Sequence, residues 1–365
     1  MTATLVEKIA DAVLYEGYIL YPYRPSAVKN QQRWNFGALC PESYSLAQKG
    51  TESWTMQTEC LVRHGDETVL NLKVRFLHFV SREVGKRIAD CRLPVVDCGH
   101  IEIKTESSVS HFQMVSSLEV NGRMFQTWQE AIEREVMLPA MPIGNKAESN
   151  EQRFSFPHDE THELLVDDAT GEPVGVILRK QQAIEGVIDV RTAKMTLGSA
   201  EINESPLKIT VKLLNRTTFE DAAERSRDEA LMRSLVSTHT ILRVVKGEFI
   251  SLLDPPEPFR DSASECHNSG TFPVLVGEEG TRDCMLSSPI ILYDYPQIAP
   301  ESAGNLYDGT EIDEILTLRI MTLTEEEKRE MRGADDRARQ ILERTETLPM
   351  EQLMKMHGAM KGVKS

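Results

Sequence analysis

Basic charge is scarce in this chain. Its 365 residues carry 41 Lys and Arg against 57 Asp and Glu, a formal net charge of −16. A general nucleic-acid binder needs a basic footprint to neutralise phosphates, and an anionic membrane surface attracts the same cations, so both classes are disfavoured. Long apolar runs are missing too. The most apolar stretch, Ala12 to Tyr23, is interrupted by Glu16 and Pro22, and nothing approaches the roughly 18–20 uncharged residues that span a bilayer. The start, Met1-Thr-Ala-Thr-Leu-Val-Glu-Lys8, shows no basic residues leading into an apolar run, so no secretory signal is read there. Cysteine is sparse and scattered, at positions 40, 60, 91, 98, 266 and 284. That excludes a dense disulfide scaffold and points to a cytoplasmic protein with reduced thiols. There is no Gly-rich phosphate loop, no nucleophile elbow, no zincin motif and no repeat of fixed period.

What is present is globular: 40% hydrophobic and 27% charged residues, enough to bury sizeable cores. Residues 4–15 have helical spacing in Leu5, Ile9, Ala12 and Val13. Residues 54–63 and 67–80 read as strands joined by a hairpin at Gly65-Asp66, and Asn121-Gly122 marks a second hairpin. Gln129 to Leu138 has helical composition. The polar, proline-containing stretch 139–152 reads as a linker. Beyond it, short runs at 163–166, 174–179, 183–190 and 207–214 alternate with turn residues, as in an antiparallel sandwich. Residues 219–236 are helical in composition. Strand-like runs at 238–245 and 248–253 follow, then a short apolar strand at 289–293. Thr324 and Glu327 have capping-box spacing and open a charged helix to about Glu343. A second short helix is expected over 349–357. The expected fold is α+β, predominantly antiparallel β and sandwich-like, with peripheral helices and a C-terminal charged helix. The expected units are 1–140, 151–258, a loop-rich 259–323 and a helical 324–365.

Sites for chemistry are thin. Cys91, Cys98 and His100 form a local thiol–imidazole cluster, and Cys266, His267 and Cys284 form another. Zinc, iron or nickel would need the fold to unite them, because their spacing departs from paired structural zinc motifs. His158 and His162 lie four apart, which would suit a metal on a helix, but the segment follows Phe154-Ser-Phe-Pro157 and precedes a strand-like run, so exposed polar residues at a strand start are the favoured reading. Adjacent acids such as Asp167-Asp168 are expected in so acidic a chain and read as solvated turns or helix faces. The segment Gly17–Cys40 stands out, since it has no acidic residue. Its Tyr21, Tyr23, Arg24, Arg33 and Trp34 belong to residue types enriched at binding hot spots. The same aromatics would also suit a strap covering a core. Met350, Met354, Met356 and Met360 make the C-terminal tail methionine-rich, an adaptable surface or a frayed end.

Two strings carry a family resemblance. The first is Ala12-Val-Leu-Tyr-Glu-Gly-Tyr-Ile-Leu-Tyr-Pro-Tyr-Arg-Pro-Ser-Ala-Val-Lys-Asn-Gln-Gln-Arg-Trp-Asn-Phe-Gly37. The second is Ser288-Pro-Ile-Ile-Leu-Tyr-Asp-Tyr-Pro-Gln-Ile-Ala-Pro-Glu-Ser-Ala-Gly304, continuing through Leu306 to Arg319. They resemble an uncharacterised bacterial family encoded beside nickel–iron uptake hydrogenases and their maturation factors. The resemblance implies an accessory or assembly role, with a hydrogenase subunit or maturation factor as partner. It implies no active-site residue and no cofactor. Two functions therefore stand side by side. One is a non-enzymatic accessory protein docking through the 17–40 segment. The other is a metal- or thiol-dependent enzyme, or a metal-delivery protein, built on the Cys/His clusters.

Overall fold

A computed structural model describes residues 2–31, 35–88, 111–144, 149–195, 205–297 and 313–351. Its spine is β1 (Thr55–Arg87), a strand of 33 residues. The hairpin expected at Gly65-Asp66 does not form. β1 runs on through a register shift between His64 and Val69, opposite β12 (Val236–Ile250). Thr68 is the reason: its hydroxyl accepts the Gly65 N–H (2.8 Å) and donates to the Lys246 carbonyl (2.5 Å), so the irregular backbone is tied to β12 instead of turning back. β12 is likewise one strand where the sequence suggested two.

Around β1 lies an antiparallel sheet of twelve strands. The first part of β1 sits between β11 (Leu207–Asn215) and β12. Farther along it pairs with β6 (Met141–Pro142) and β5 (Trp128–Met137), then with β9 (Pro173–Gln181) and β2 (Phe112–Val115). The sheet continues from β12 through β14 (Cys284–Ser288) to β13 (Phe272–Leu275). On the other side it passes from β11 through β10 (Ile184–Lys194) to β7 (Ser149–Phe156). β8 (Asp159–Val166) pairs with β9. A separate hairpin, β3 (Ser117–Val120) and β4 (Arg123–Gln126), turns at Asn121 and Gly122, both at positive φ, as the Asn-Gly signal anticipated.

One core joins both sides of the expected boundary at 140–151. Cys60, Val62, Val74 and Phe76 of β1 pack with Ile188, Ile209, Leu242 and Met285. The stretch expected as a linker carries β6 and buried Ile143, whose N–H donates to the Thr68 carbonyl. The stretch 129–138, expected to be helical, lies almost wholly in β5. Its acids find arginines on neighbouring strands: Glu133 and Glu135 reach Arg75, and Glu130 reaches Arg82 and Arg179. Tertiary pairing there overrides local propensity.

Helices lie outside the sheet. α1 (Thr2–Leu14) packs Val6, Ile9 and Ala10 on Ile241, Val274 and Leu286. Buried Arg75 anchors it, with Glu7 at 3.3 Å and Asp11 at 2.7 Å on α1. Such a guanidinium is tolerable because carboxylates surround it. Short helices α2 (Val28–Gln31), α3 (Glu42–Ala47), α4 (Arg227–Leu231) and α5 (Arg260–Ser264) fill connections, so α4 alone is helical within 219–236. The C-terminal helices are α6 (Asp313–Met321), α7 (Glu325–Ala334) and α8 (Asp336–Glu346). The capping box at Thr324 and Glu327 forms as expected. The single expected helix is broken at Asp335, whose carboxylate caps α8 by accepting the Ala338 N–H at 2.7 Å. Gly333 precedes the break, where a Cβ would lie 2.5 Å from the Met124 carbonyl. Most of 349–357 lies outside the described residues. Among the described residues, no helix is long and apolar enough to cross a membrane.

Candidate protein interface

The described parts of the 17–40 segment, residues 17–31 and 35–40, pack on the rest of the chain as a strap. Tyr23 is fully buried, sharing a core with Leu77, Phe79, Ile320, Met331 and Leu342. Tyr21 meets Tyr23 edge-on, with the Arg319 guanidinium 5.4 Å and the Lys29 ammonium 5.7 Å from its ring centre. Arg24 pairs with Glu327 at 3.1 Å and Glu330 at 3.6 Å, and the Ser26 N–H donates to Glu330. The cation and aromatics that suggested a partner surface are thus engaged with α6 and α7 of the same chain. Arg33 and Trp34 lie outside the described residues.

The cysteines do not converge where they are described. Cys266 packs beside Leu61, Ile250 and Phe259, whereas Cys284 packs beside Val6, Ile9 and Val274. Burial pushes the two thiols up to about 11 and about 12, so both are neutral at physiological pH and poor nucleophiles. His267 contributes its backbone N–H to Glu59 (2.8 Å). Cys91, Cys98 and His100 lie outside the described residues. His162 contacts Glu160 at 3.2 Å on β8. Among the described residues, no three His, Cys, Asp or Glu side chains gather as a metal would require. A polar cavity of about 370 Å³ opens beside Tyr15 and Tyr18. Its charges neutralise one another: Glu130 lies between Arg82 (2.9 Å) and Arg179 (2.8 Å), and Glu163 holds Arg179 at 2.8 Å.

One buried pair has the form of a nucleophile and its base. The Ser288 hydroxyl lies 3.1 Å from His239 Nε2, and His239 Nδ1 lies 2.7 Å from the Ser237 carbonyl. That carbonyl can only accept, so Nδ1 carries the proton and Ser288 donates to Nε2. Both residues are buried, and burial depresses His239 to about 4. No substrate reaches the hydroxyl in this conformation. Instead it accepts the Ile290 N–H (3.1 Å) and starts the segment that follows.

That segment, 289–295, displays two large apolar side chains on a backbone held at several points. Pro289 is seated on Gly37, where a Cβ would lie only 2.6 Å from the proline ring. Asp294 accepts the Leu275 N–H (2.8 Å) and the Ser251 hydroxyl (2.5 Å). The Tyr295 N–H donates to the Leu275 carbonyl (2.7 Å), and its hydroxyl donates to the Thr281 carbonyl. Leu292 packs inward on the α1 cluster. The alternating residues point out: Ile291 is 74% exposed and Tyr293 85%. Exposed Phe272 pairs in register with Ser288, and exposed Leu253 follows Ser251, so both join this end of the sheet. A held backbone presenting an isoleucine and a tyrosine is preorganised for contact.

The apolar composition of 289–293 reads as a strand, but the strand here is β14, which ends at Ser288, and 289–293 is irregular chain. Only the alternation of outward Ile291 and Tyr293 with inward Leu292 and Asp294 could have separated display from burial. The two strings that carry the family resemblance meet here in space: Gly37 ends the first and carries Pro289 of the second, and Arg319 stacks over Tyr21. A scan against protein-family models returns no match, and a search of curated proteins returns none.

Proposed function

We propose that this chain is a non-enzymatic accessory or assembly protein of the cytoplasm that docks another protein through the shelf formed by residues 289–295. The observation that carries the reading is the pinned backbone that leaves Ile291 and Tyr293 out in solvent while Asp294 and Tyr295 hold it to β13. Burying an aromatic and an aliphatic side chain from a rigid segment gains affinity with little ordering entropy. The shelf lies within the second resemblance string, which favours a nickel–iron hydrogenase subunit or maturation factor as the partner.

The test is co-purification with those proteins. Ile291→Asp combined with Tyr293→Ala is expected to weaken association by about 30-fold or more. Thermal stability should stay unchanged, since both side chains are exposed. Arg24→Ala, which breaks the pairs with Glu327 and Glu330, should leave association intact. The opposite pattern, with binding lost in Arg24→Ala and kept in the shelf variant, would return the interface to the strap.

A further inference from the structure

We propose that β7 is a self-association edge, and that two copies of this chain join by pairing their β7 strands antiparallel about a two-fold axis at Gln152. β7 is one end of the path through the sheet, and among the described residues it pairs with β10 alone. Over its eight residues, Ser-Asn-Glu-Gln-Arg-Phe-Ser-Phe, it has no lysine, no proline and no bulge. Those are the devices that usually blunt a free edge. The strand is also held firmly as a template: Phe154 and Phe156 pack on Phe76, with ring centres 6.1 and 5.8 Å away.

Charge selects the register. Glu151 and Arg153 share one face and are exposed, 53% and 82% by side chain. They lie 3.1 Å apart along the strand. With the axis at Gln152, Glu151 of each copy lies directly opposite Arg153 of the other, and Ser149 opposite Ser155. An axis at residue 151 or 153 would oppose like charges, which is unfavourable. β8 has no such solution. Its edge carries Asp159, Glu160 and Glu163 with no Lys or Arg, so no register of a second β8 sets either cation opposite an acid. The occupant of the β7 edge is therefore a second copy of this chain, and the contact is distinct from the shelf.

Sedimentation equilibrium of the full chain tests this. At about 50 μM the wild type should approach twice the 41.2 kDa chain mass. Arg153→Glu and Glu151→Arg should each weaken the dimer about tenfold or more, because two attractive cross-strand pairs become repulsive. The combined swap restores opposite charges and should return the dimer constant to within about threefold of wild type. Each variant should keep the wild-type thermal transition, since the altered side chains are exposed. A monomeric wild type overturns the proposal. So does an unchanged dimer in both single variants, or a folded double swap that stays as weak as the singles.

Discussion

The two ends of the sheet are built on opposite plans. β13 is four residues long, contains Pro273, and has the N–H and carbonyl of Leu275 taken up by Asp294 and Tyr295. β7 is twice that length, and among the described residues nothing pairs with its outer side. The capped end is closed to strand addition, and what it offers a partner is side chains. The open end offers backbone, with one acid and one base to set the register. A single sheet can thus hold two recognition surfaces of different chemistry, apolar at the shelf and main-chain at the edge.

Each end also rests on a buried neutral histidine, and acid should undermine both. His239 lies under the shelf, and His78 lies 6.5 Å from the Phe156 ring of β7. Burial lowers both to about 4, with a further lowering of His78 by Arg134 and of His239 by Arg75. The unfolded chain binds these protons below about pH 6.5, whereas the folded chain resists them until about pH 4. Stability is therefore complete above pH 6.5, falls as pH drops, and levels off near pH 4. The cost is about 3 kcal/mol for each histidine. Urea titrations at pH 7 and pH 4.5 should show the loss, and His239→Asn should remove about half of the pH dependence. A pH-independent midpoint across that window would contradict the assignment of neutral, buried imidazoles.

Gly37 tests the capped end alone. Its φ is +51°, and a Cβ would sit 2.6 Å from the Pro289 Cβ and 2.7 Å from its Cγ. Gly37→Ala should cost about 2–4 kcal/mol, as backbone strain and overlap add. Gly171, in the β8–β9 turn, also has positive φ but open space around it. Gly171→Ala should cost only about 1 kcal/mol of strain. Equal losses in the two variants would mean that Pro289 moves aside freely and the shelf is not pinned there.

What could be read from the sequence divides the same way. Local signals were reliable: α1, the Asn121-Gly122 hairpin, the capping box at Thr324 and the strands between 159 and 215 all follow from neighbouring residues. Misreadings arose where distant partners decide. β5 is acidic enough to read as helix until Arg75, Arg82 and Arg179 stand beside it. The turn at Gly65 is cancelled by Thr68 bonding to Lys246, 178 residues on. The 17–40 segment left strap and surface both open in the sequence, because the acids that pair with Arg24, Glu327 and Glu330, lie far along the chain. At the shelf, apolar composition was visible, but exposure depends on Gly37, Ser251 and Leu275, which no local pattern connects.

The smallest expected effect isolates the hinge of the capped end. Ser288 is one hydroxyl with two duties, donating to His239 Nε2 and accepting the Ile290 N–H. Ser288→Ala removes both and leaves a buried imidazole nitrogen without its donor, at about 1–2 kcal/mol. Pro289 still sits on Gly37, and Asp294 and Tyr295 still grip Leu275, so the fold and the far end of the shelf should persist. The change is local: the Ile290 amide loses its acceptor, and its hydrogen exchange should quicken about tenfold relative to the Tyr295 amide. Residues of β7 should show no change. If Ile290 exchanges at the wild-type rate in Ser288→Ala, the shelf is held by its far end alone. The buried Ser288–His239 pair would then serve the core without setting the display of Ile291.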